Sequence, residues 1–286
     1  MTPAVVAAVL VAALTHASWN ALAHGIRDQL LAFTLVGGGG TLCGLLLACF
    51  APLPAAAAWP ALLASVLLHV LYQMLLMRSF QMGEFGQMYP IARGTAPLVV
   101  TVLAAVFVHE LPGGWQIAGV LLSSAGLVGV ALWGLRGRRA DGAPSQWPAL
   151  TAAVCTGLAI ASYTVVDGVG VRASGTTLGY IAWLMALEGL AIPAYALATR
   201  RGALAAQLRP VALRGLLGGV LSVAAYGLVL WAQTRAPMAP VAALRESSII
   251  AGAAIGALFF KERFGWPRTA ASVLMVGGIA LMLHGG

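Results

Sequence analysis

Charge is scarce in this chain of 286 residues. Lys, Arg, Asp and Glu together make up 8% of it, and only eight residues are acidic, against 60% hydrophobic residues and a mean hydropathy of +0.92. So little polar surface cannot cover a soluble globule of this size, which excludes a water-soluble fold. Cysteine is nearly absent: Cys43, Cys49 and Cys155 form an odd set inside apolar stretches, so no disulfide framework or metal spacing follows, and they read as small packing residues. No HxxxH or HExxH pair occurs, no GxxxxGK[ST] phosphate loop is present, and no His, Asp or Glu cluster has the spacing a membrane-embedded enzyme would need. No enzyme activity, cofactor or metal is therefore expected. The strand-like alternation of a membrane barrel is missing too.

What is present is a succession of apolar runs, each about 20 residues long, the length at which a helix crosses roughly 30 Å of hydrocarbon. Ten such segments cover residues 3–23, 29–50, 58–77, 87–108, 114–134, 148–169, 176–198, 211–233, 238–260 and 265–284. The predicted fold class is all-α, a polytopic membrane protein. Segment four carries Pro90, Gly94 and Pro97, which predict an irregular helix whose freed backbone groups face protein or a water cavity. Ala21-Leu22-Ala23 imitates a signal-peptide cleavage site, but no Lys or Arg precedes the first apolar run, so segment one reads as retained.

The one clearly hydrophilic stretch, Arg136 to Gln146 with Arg138, Arg139 and Asp141, stands near the midpoint. It divides the chain into a first repeat (1–135), a basic linker (136–147) and a second repeat (148–286). Five segments on each side predict that the second half enters the membrane from the opposite face, the inverted-repeat arrangement of secondary transporters. The rare residues support duplication. Arg93 precedes Glu110 and Arg245 precedes Glu262 by the same interval, and 245 − 93 = 152 as 262 − 110 = 152. The same offset pairs Gln81 with Gln233, Phe107 with Phe259 and Gly126 with Gly278, while Ala17-Ser18-Trp19-Asn20 loosely matches Ala161-Ser162-Tyr163-Thr164. Glycines four apart (Gly40 and Gly44, Gly215 and Gly219, Gly252 and Gly256) predict close helix packing.

The net charge of +8 needs no nucleic acid to explain it. Arg27, Arg78, Arg136, Arg200, Arg209 and Lys261 belong to one set of loops and little beyond Arg172 and Arg235 to the other, so the positive-inside rule puts the first set in the cytoplasm and both termini outside. Trp59, Trp115, Trp147 and Trp266 stand at segment ends, as interfacial anchors do.

Ionisable groups at bilayer depth cost about 2.5–3.5 kcal/mol or more, and are functional candidates by default. Arg93 and Arg245 approach the bundle centre from opposite faces. A guanidinium keeps its charge and offers a planar fork of donors, which suits an anionic or zwitterionic solute. The alternative is structural, with Arg245 held by Glu188 or Glu246. Glu246 points about 100° away from Arg245 on a helix and is open to another partner. Glu188, in the middle of segment seven, is the candidate proton carrier, with Glu246 as the second coupling candidate. Trp19, Tyr72, Tyr89, Tyr163 and Tyr226 are candidate cavity walls, apolar faces with polar tips. His69 reads as a packed histidine, Asp167 as interfacial, and Glu110 and Glu262 as caps at the starts of segments five and ten.

The run His16-Ala17-Ser18-Trp19-Asn20-Ala21, the segment Tyr89-Pro90-Ile91-Ala92-Arg93-Gly94-Thr95-Ala96-Pro97, and Glu110-Leu111 or Glu262-Arg263 followed by Gln116 and Gly119 or by Gly265 resemble the EamA branch of the drug/metabolite transporter superfamily. The resemblance implies a substrate cavity between the halves, formed by segments three, four, eight and nine, with Arg93, Tyr72 and Arg245 near it. It implies export or exchange of amino acids, other metabolites or phosphorylated sugars. It also implies cytoplasmic termini and a basic loop between segments two and three; here that loop, residues 51–59, has no charge. The expected function is a secondary transporter, an exporter or exchanger of a small polar metabolite in the cytoplasmic membrane. Its expected partners are the solute, the lipid bilayer, a coupling proton and a second copy of the chain. The rival readings are a lipid-linked flippase, a membrane-embedded enzyme and a scaffold.

Overall fold

The computed structural model describes residues 1–82, 85–136, 147–251, 255 and 266–284; within these, the side chains of residues 24, 77, 79–82, 85–90, 130–136, 267 and 268 lie outside the description. The chain is all-helical, with no strand among the described residues. The elements are α1 (Pro3–His24), α2 (Gln29–Ala48), α3 (Trp59–Met82), α4 (Phe85–Leu103), α5 (Gly114–Arg136), α6 (Trp147–Ala173), α7 (Thr177–Glu188), α8 (Ala191–Arg200), α9 (Leu204–Leu208), α10 (Ala212–Gln233), α11 (Met238–Arg245) and α12 (Trp266–His284). Six helical runs among the described residues are long and apolar enough to cross a membrane, and two further apolar helices are shorter.

Local chemistry sets the boundaries. Thr2 accepts from the backbone N–H of Val5 with Pro3 just inside α1, and Asp28 accepts from Leu30 and Leu31 to cap α2. Segment four differs from expectation: α4 runs unbroken through Pro90 and Pro97, and the irregularity falls one turn later as a π-helical turn, Ala104–Val108, ended by His109 in the left-handed region. Thr101 Oγ1 donates to the Pro97 carbonyl (2.7 Å) beside that turn. Segment seven is two helices, because α7 stops at Glu188-Gly189 and α8 starts at Ala191. Segment nine also breaks: α11 ends at Arg245, residues 246–247 form a turn, and helix resumes at 248.

Packing pairs α1 with α10, α3 with α6, α2 with α7 and α10, α4 with α5 and α6, and α5 with α12. Small residues make these approaches possible. A Cβ on Gly278 of α12 would lie 2.6 Å from the Gly119 carbonyl oxygen of α5. Gly278→Val is therefore expected to destabilise the bundle by about 1–3 kcal/mol or more through overpacking, read as a lower melting temperature in detergent; an unchanged value would refute this contact. Of the spaced glycines, Gly44, Gly215 and Gly219 make such approaches, a Cβ on Gly40 would only reach ordinary contact with Val223 (3.9 Å), and Gly252 and Gly256 lie outside the described residues. Leu46, Leu67, Val102 and Val273 are exposed apolar residues on the bundle exterior, the surface a bilayer would cover.

The loops sort onto two faces. On one, Arg200 pairs with Asp28 (2.7 Å) and Arg214 donates to the Gly25 carbonyl (3.2 Å). On the other, Ala55 N–H donates to the Ser174 carbonyl (2.9 Å), and Arg172 pairs with Glu110 while donating to the carbonyls of Gln233 (2.7 Å) and Ala236 (3.0 Å). Glu110 also accepts from the backbone N–H of Met238 (2.7 Å). It thus caps α11, not the segment that follows it, because Arg172 fixes its carboxylate over the α10–α11 connection. Glu262 lies outside the described residues.

Candidate functional site

Helices α1, α2, α3, α6, α7, α10 and α11 surround a cavity with about 750 Å³ of empty space, counting the part open to solvent. It runs from mid-bundle toward the face that carries Arg27, Arg200 and Arg214. Phe33 lies four residues into α2 from that face, about 6 Å at 1.5 Å per residue, whereas Arg245 lies seven residues into α11 from the other, about 10 Å. A smaller space of about 160 Å³ continues past Arg245 toward Ala12 and Val229, and His16, Tyr226 and Arg245 line both. These three side chains are common to the linings of the two spaces.

Arg245 is 5% exposed, and its Nε is buried with no hydrogen-bond partner among the described residues. Tyr163, Tyr226, Glu246 and Arg93 lie within its electrostatic reach. On the cavity wall formed by α7, Glu188 keeps one carboxylate oxygen, Oε2, buried and without a hydrogen-bond partner among the described residues. That oxygen is 3.4 Å from His69 Nδ1, which is within ion-pair range but lacks hydrogen-bond geometry, because the same nitrogen is 3.0 Å from the Ser65 carbonyl and 3.1 Å from its hydroxyl. A buried unsatisfied charge is costly, so each of these groups is suited to a ligand of opposite charge.

The aromatic wall is contiguous. His69 stacks on Tyr163 (ring centroids 3.9 Å apart, 26° between planes), while Tyr72 and Tyr226 meet Tyr163 edge-on. Trp19 Nε1 donates to His16 Nδ1 (3.2 Å), which anchors the indole against the cavity. Of the residues singled out from sequence, Trp19, Tyr72, Tyr163, Tyr226, Glu188 and Arg245 line one cavity. The loosely matched Trp19 and Tyr163 meet there, one from each half.

Arg93 and Glu246 are elsewhere engaged. Arg93 Nε donates to Glu246 Oε2 (2.7 Å) and its NH2 group to Ser248 (3.4 Å), with both side chains of the pair 2% exposed. The pair lies outside the cavity lining and bridges α4 to the turn that follows Arg245. The partner of Glu246 is thus Arg93, the other arginine of the repeat. The side chain of Tyr89 lies outside the described residues.

Sequence reasoning missed Asp167. Placed at an interface by the predicted end of segment six, it is fully buried, because α6 continues to Ala173. Its carboxylate accepts from the Tyr180 hydroxyl (2.9 Å), from Tyr226 and from Ser65. The signal available in the sequence was Gly168 and Gly170, where a Cβ would strike Met238 and the Tyr180 ring. No group of three or more His, Cys, Asp or Glu able to hold a metal occurs among the described residues.

The family whose model matches the chain is described as the EamA-like transporter family, and the match spans residues 147–284. No curated protein matches the sequence. A solved crystal structure superposes with a TM-score of 0.72 at 17% sequence identity, covering 97% of this chain and 98% of its own, a likeness of fold that extends through both halves.

Proposed function

We propose, from a chain whose residues 147–284 belong to the EamA-like transporter family, that this multi-pass membrane protein is a secondary transporter of an amino-acid-like zwitterion. It works by alternating access between two inverted five-helix repeats in the cytoplasmic membrane. The observation that carries the solute class is a pair of groups in one cavity, Arg245 Nε and Glu188 Oε2, both buried, of opposite charge and without a hydrogen-bond partner among the described residues. A carboxylate on Arg245 and an ammonium on Glu188 would satisfy both. A solute with only negative charge would leave Glu188 facing it, which disfavours phosphorylated sugars and phosphonates. The walls of Phe33, Tyr72 and Tyr163 suit an apolar or aromatic side chain. In the empty carrier, a proton on Glu188 would take the place of the ammonium.

Helix packing supports the two-repeat reading. With segment seven as α7 and α8, eight as α10 and nine beginning at α11, exchanging the halves turns α3·α6 into α10·α1, α4·α6 into α11·α1 and α2·α10 into α7·α3. Each of these contacts is present. The faces support alternating access: the cavity runs toward the basic face, and Glu110 and Arg172 tie α6 to the α10–α11 connection on the other. By the positive-inside rule the open side is cytoplasmic. In this reading Arg93 and Glu246 bind no solute; they hold the turn that positions Arg245.

The reading is tested by reconstituting the full chain in liposomes and measuring counterflow of labelled amino acids, organic acids and phosphonates. Neutral amino acids with apolar or aromatic side chains should exchange, and Glu188→Gln should weaken them by about tenfold or more, the worth of one charge-assisted bond. Exchange of phosphonates but not amino acids would reject the zwitterion.

A further inference from the structure

We infer that Asp167 is a proton-binding site linked to the solute site through the Tyr226 hydroxyl. This rests on the transporter reading above and names its coupling ion. Four helices converge on one carboxylate: Ser65 from α3, Asp167 itself from α6, Tyr180 from α7 and Tyr226 from α10. Tyr180 donates to Oδ1 and Tyr226 to Oδ2, so the carboxylate accepts from hydroxyls and has no salt-bridge partner among the described residues. A fully buried carboxylate held by neutral hydroxyl donors, with no ion-pair partner among the described residues, can exchange a proton without breaking a salt bridge.

The connection to the cavity is direct. Tyr226 lines it, shares both cavity linings with Arg245, and reaches Asp167 with its hydroxyl. Glu188 and His69 also face it: Glu188 Oε2 lies 3.4 Å from His69 Nδ1, and that nitrogen is 3.1 Å from the Ser65 hydroxyl. The other ionisable groups facing this cluster are Tyr163 on α6 itself and Arg245 on α11, while Arg93 on α4 is already paired with Glu246.

A hydronium ion in the cavity gives its proton to the Tyr226 oxygen as the Tyr226 hydroxyl proton passes to Asp167 Oδ2, and it leaves as water. The new carboxylic acid then donates to the Tyr226 oxygen, which had been the donor. The Tyr226 O–H is released and turns into the cavity, where it donates to a solute carboxylate seated on Arg245. Proton and solute therefore favour each other's binding, and by linkage the effect is reciprocal.

Infrared difference spectroscopy of the purified full chain in lipid, stepped from acidic to weakly alkaline pH without solute, decides this independently of the solute's identity. The wild type should show a carboxylic-acid carbonyl band that is lost in Asp167→Asn and displaced in Asp167→Glu. It should also show a tyrosine C–O change that is lost in Tyr226→Phe and in Asp167→Asn but kept in Tyr180→Phe. Absence of a band sensitive to Asp167, or a tyrosine change that persists in Tyr226→Phe, would overturn the inference. In liposomes a pH gradient should accelerate phenylalanine counterflow in the wild type and not in Asp167→Asn. If wild type moves no phenylalanine while the two bands behave as described, the zwitterion reading fails and the proton site stands.

Discussion

Arg245→Ala is expected to abolish measurable solute exchange while leaving the helical fold intact. The guanidinium lines both spaces, and its Nε has no hydrogen-bond partner among the described residues. Its removal therefore costs Nε no hydrogen bond among the described residues and takes away the one arginine or lysine that they contribute to the cavity lining. Truncating one partner of a buried charge pair costs about 2–5 kcal/mol of binding, a loss of roughly 30-fold to several thousand-fold in affinity. Arg245→Lys should recover part of it, since an ammonium supplies the charge without the planar fork. Circular dichroism and size-exclusion behaviour should match wild type. A variant that exchanges solute normally would remove Arg245 from the site.

Arg93→Ala should behave in the opposite way, failing in stability before function. Its guanidinium is buried against Glu246 and Ser248, so truncation leaves a carboxylate in the bundle with no partner. Breaking a buried pair from one side costs about 3–5 kcal/mol, whereas replacing both members by neutral groups is often tolerated. Thermal unfolding in detergent should show a large drop for Arg93→Ala and a smaller one for Arg93→Met combined with Glu246→Gln. If the single variant melts like wild type, the pair does not hold the turn after Arg245. The two arginines, equal in sequence, thus separate by readout: one sets affinity, the other sets stability.

That equality marks where sequence reading stopped. The apolar runs were legible, because hydrophobic length is local, whereas the caps Thr2 and Asp28 that set two of the helix starts came from the structure. The cavity wall was legible too: Trp19, Tyr72, Tyr163 and Tyr226 are large residues with polar tips inside apolar segments, and they meet. Pairing was not legible, since it depends on which helix faces which. Arg93 and Arg245 share a register in their repeats, yet Glu246 has no acidic counterpart in the first half, where Gly94 follows Arg93. That single difference gives one arginine a partner and leaves the other to the cavity. Asp167 was misplaced for a simpler reason: ending segment six at 169 rather than Ala173 moved a buried carboxylate to the interface. The glutamate at position 110 caps a helix, as its charge suggested, but that helix lies more than a hundred residues later in the chain.

The central claim is that Arg245 and Glu188 hold the two charges of one solute. Equilibrium binding of phenylalanine, phenethylamine and 3-phenylpropionate to the purified full chain tests it most directly, since the three share a ring and differ only in charge. Each missing charge-assisted bond should cost about 1.5–3 kcal/mol, so either analogue should bind at least roughly tenfold more weakly than phenylalanine. Glu188→Gln should erase the advantage over phenylpropionate, and Arg245→Ala the advantage over phenethylamine. Phenylpropionate binding to wild type as tightly as phenylalanine would contradict the account.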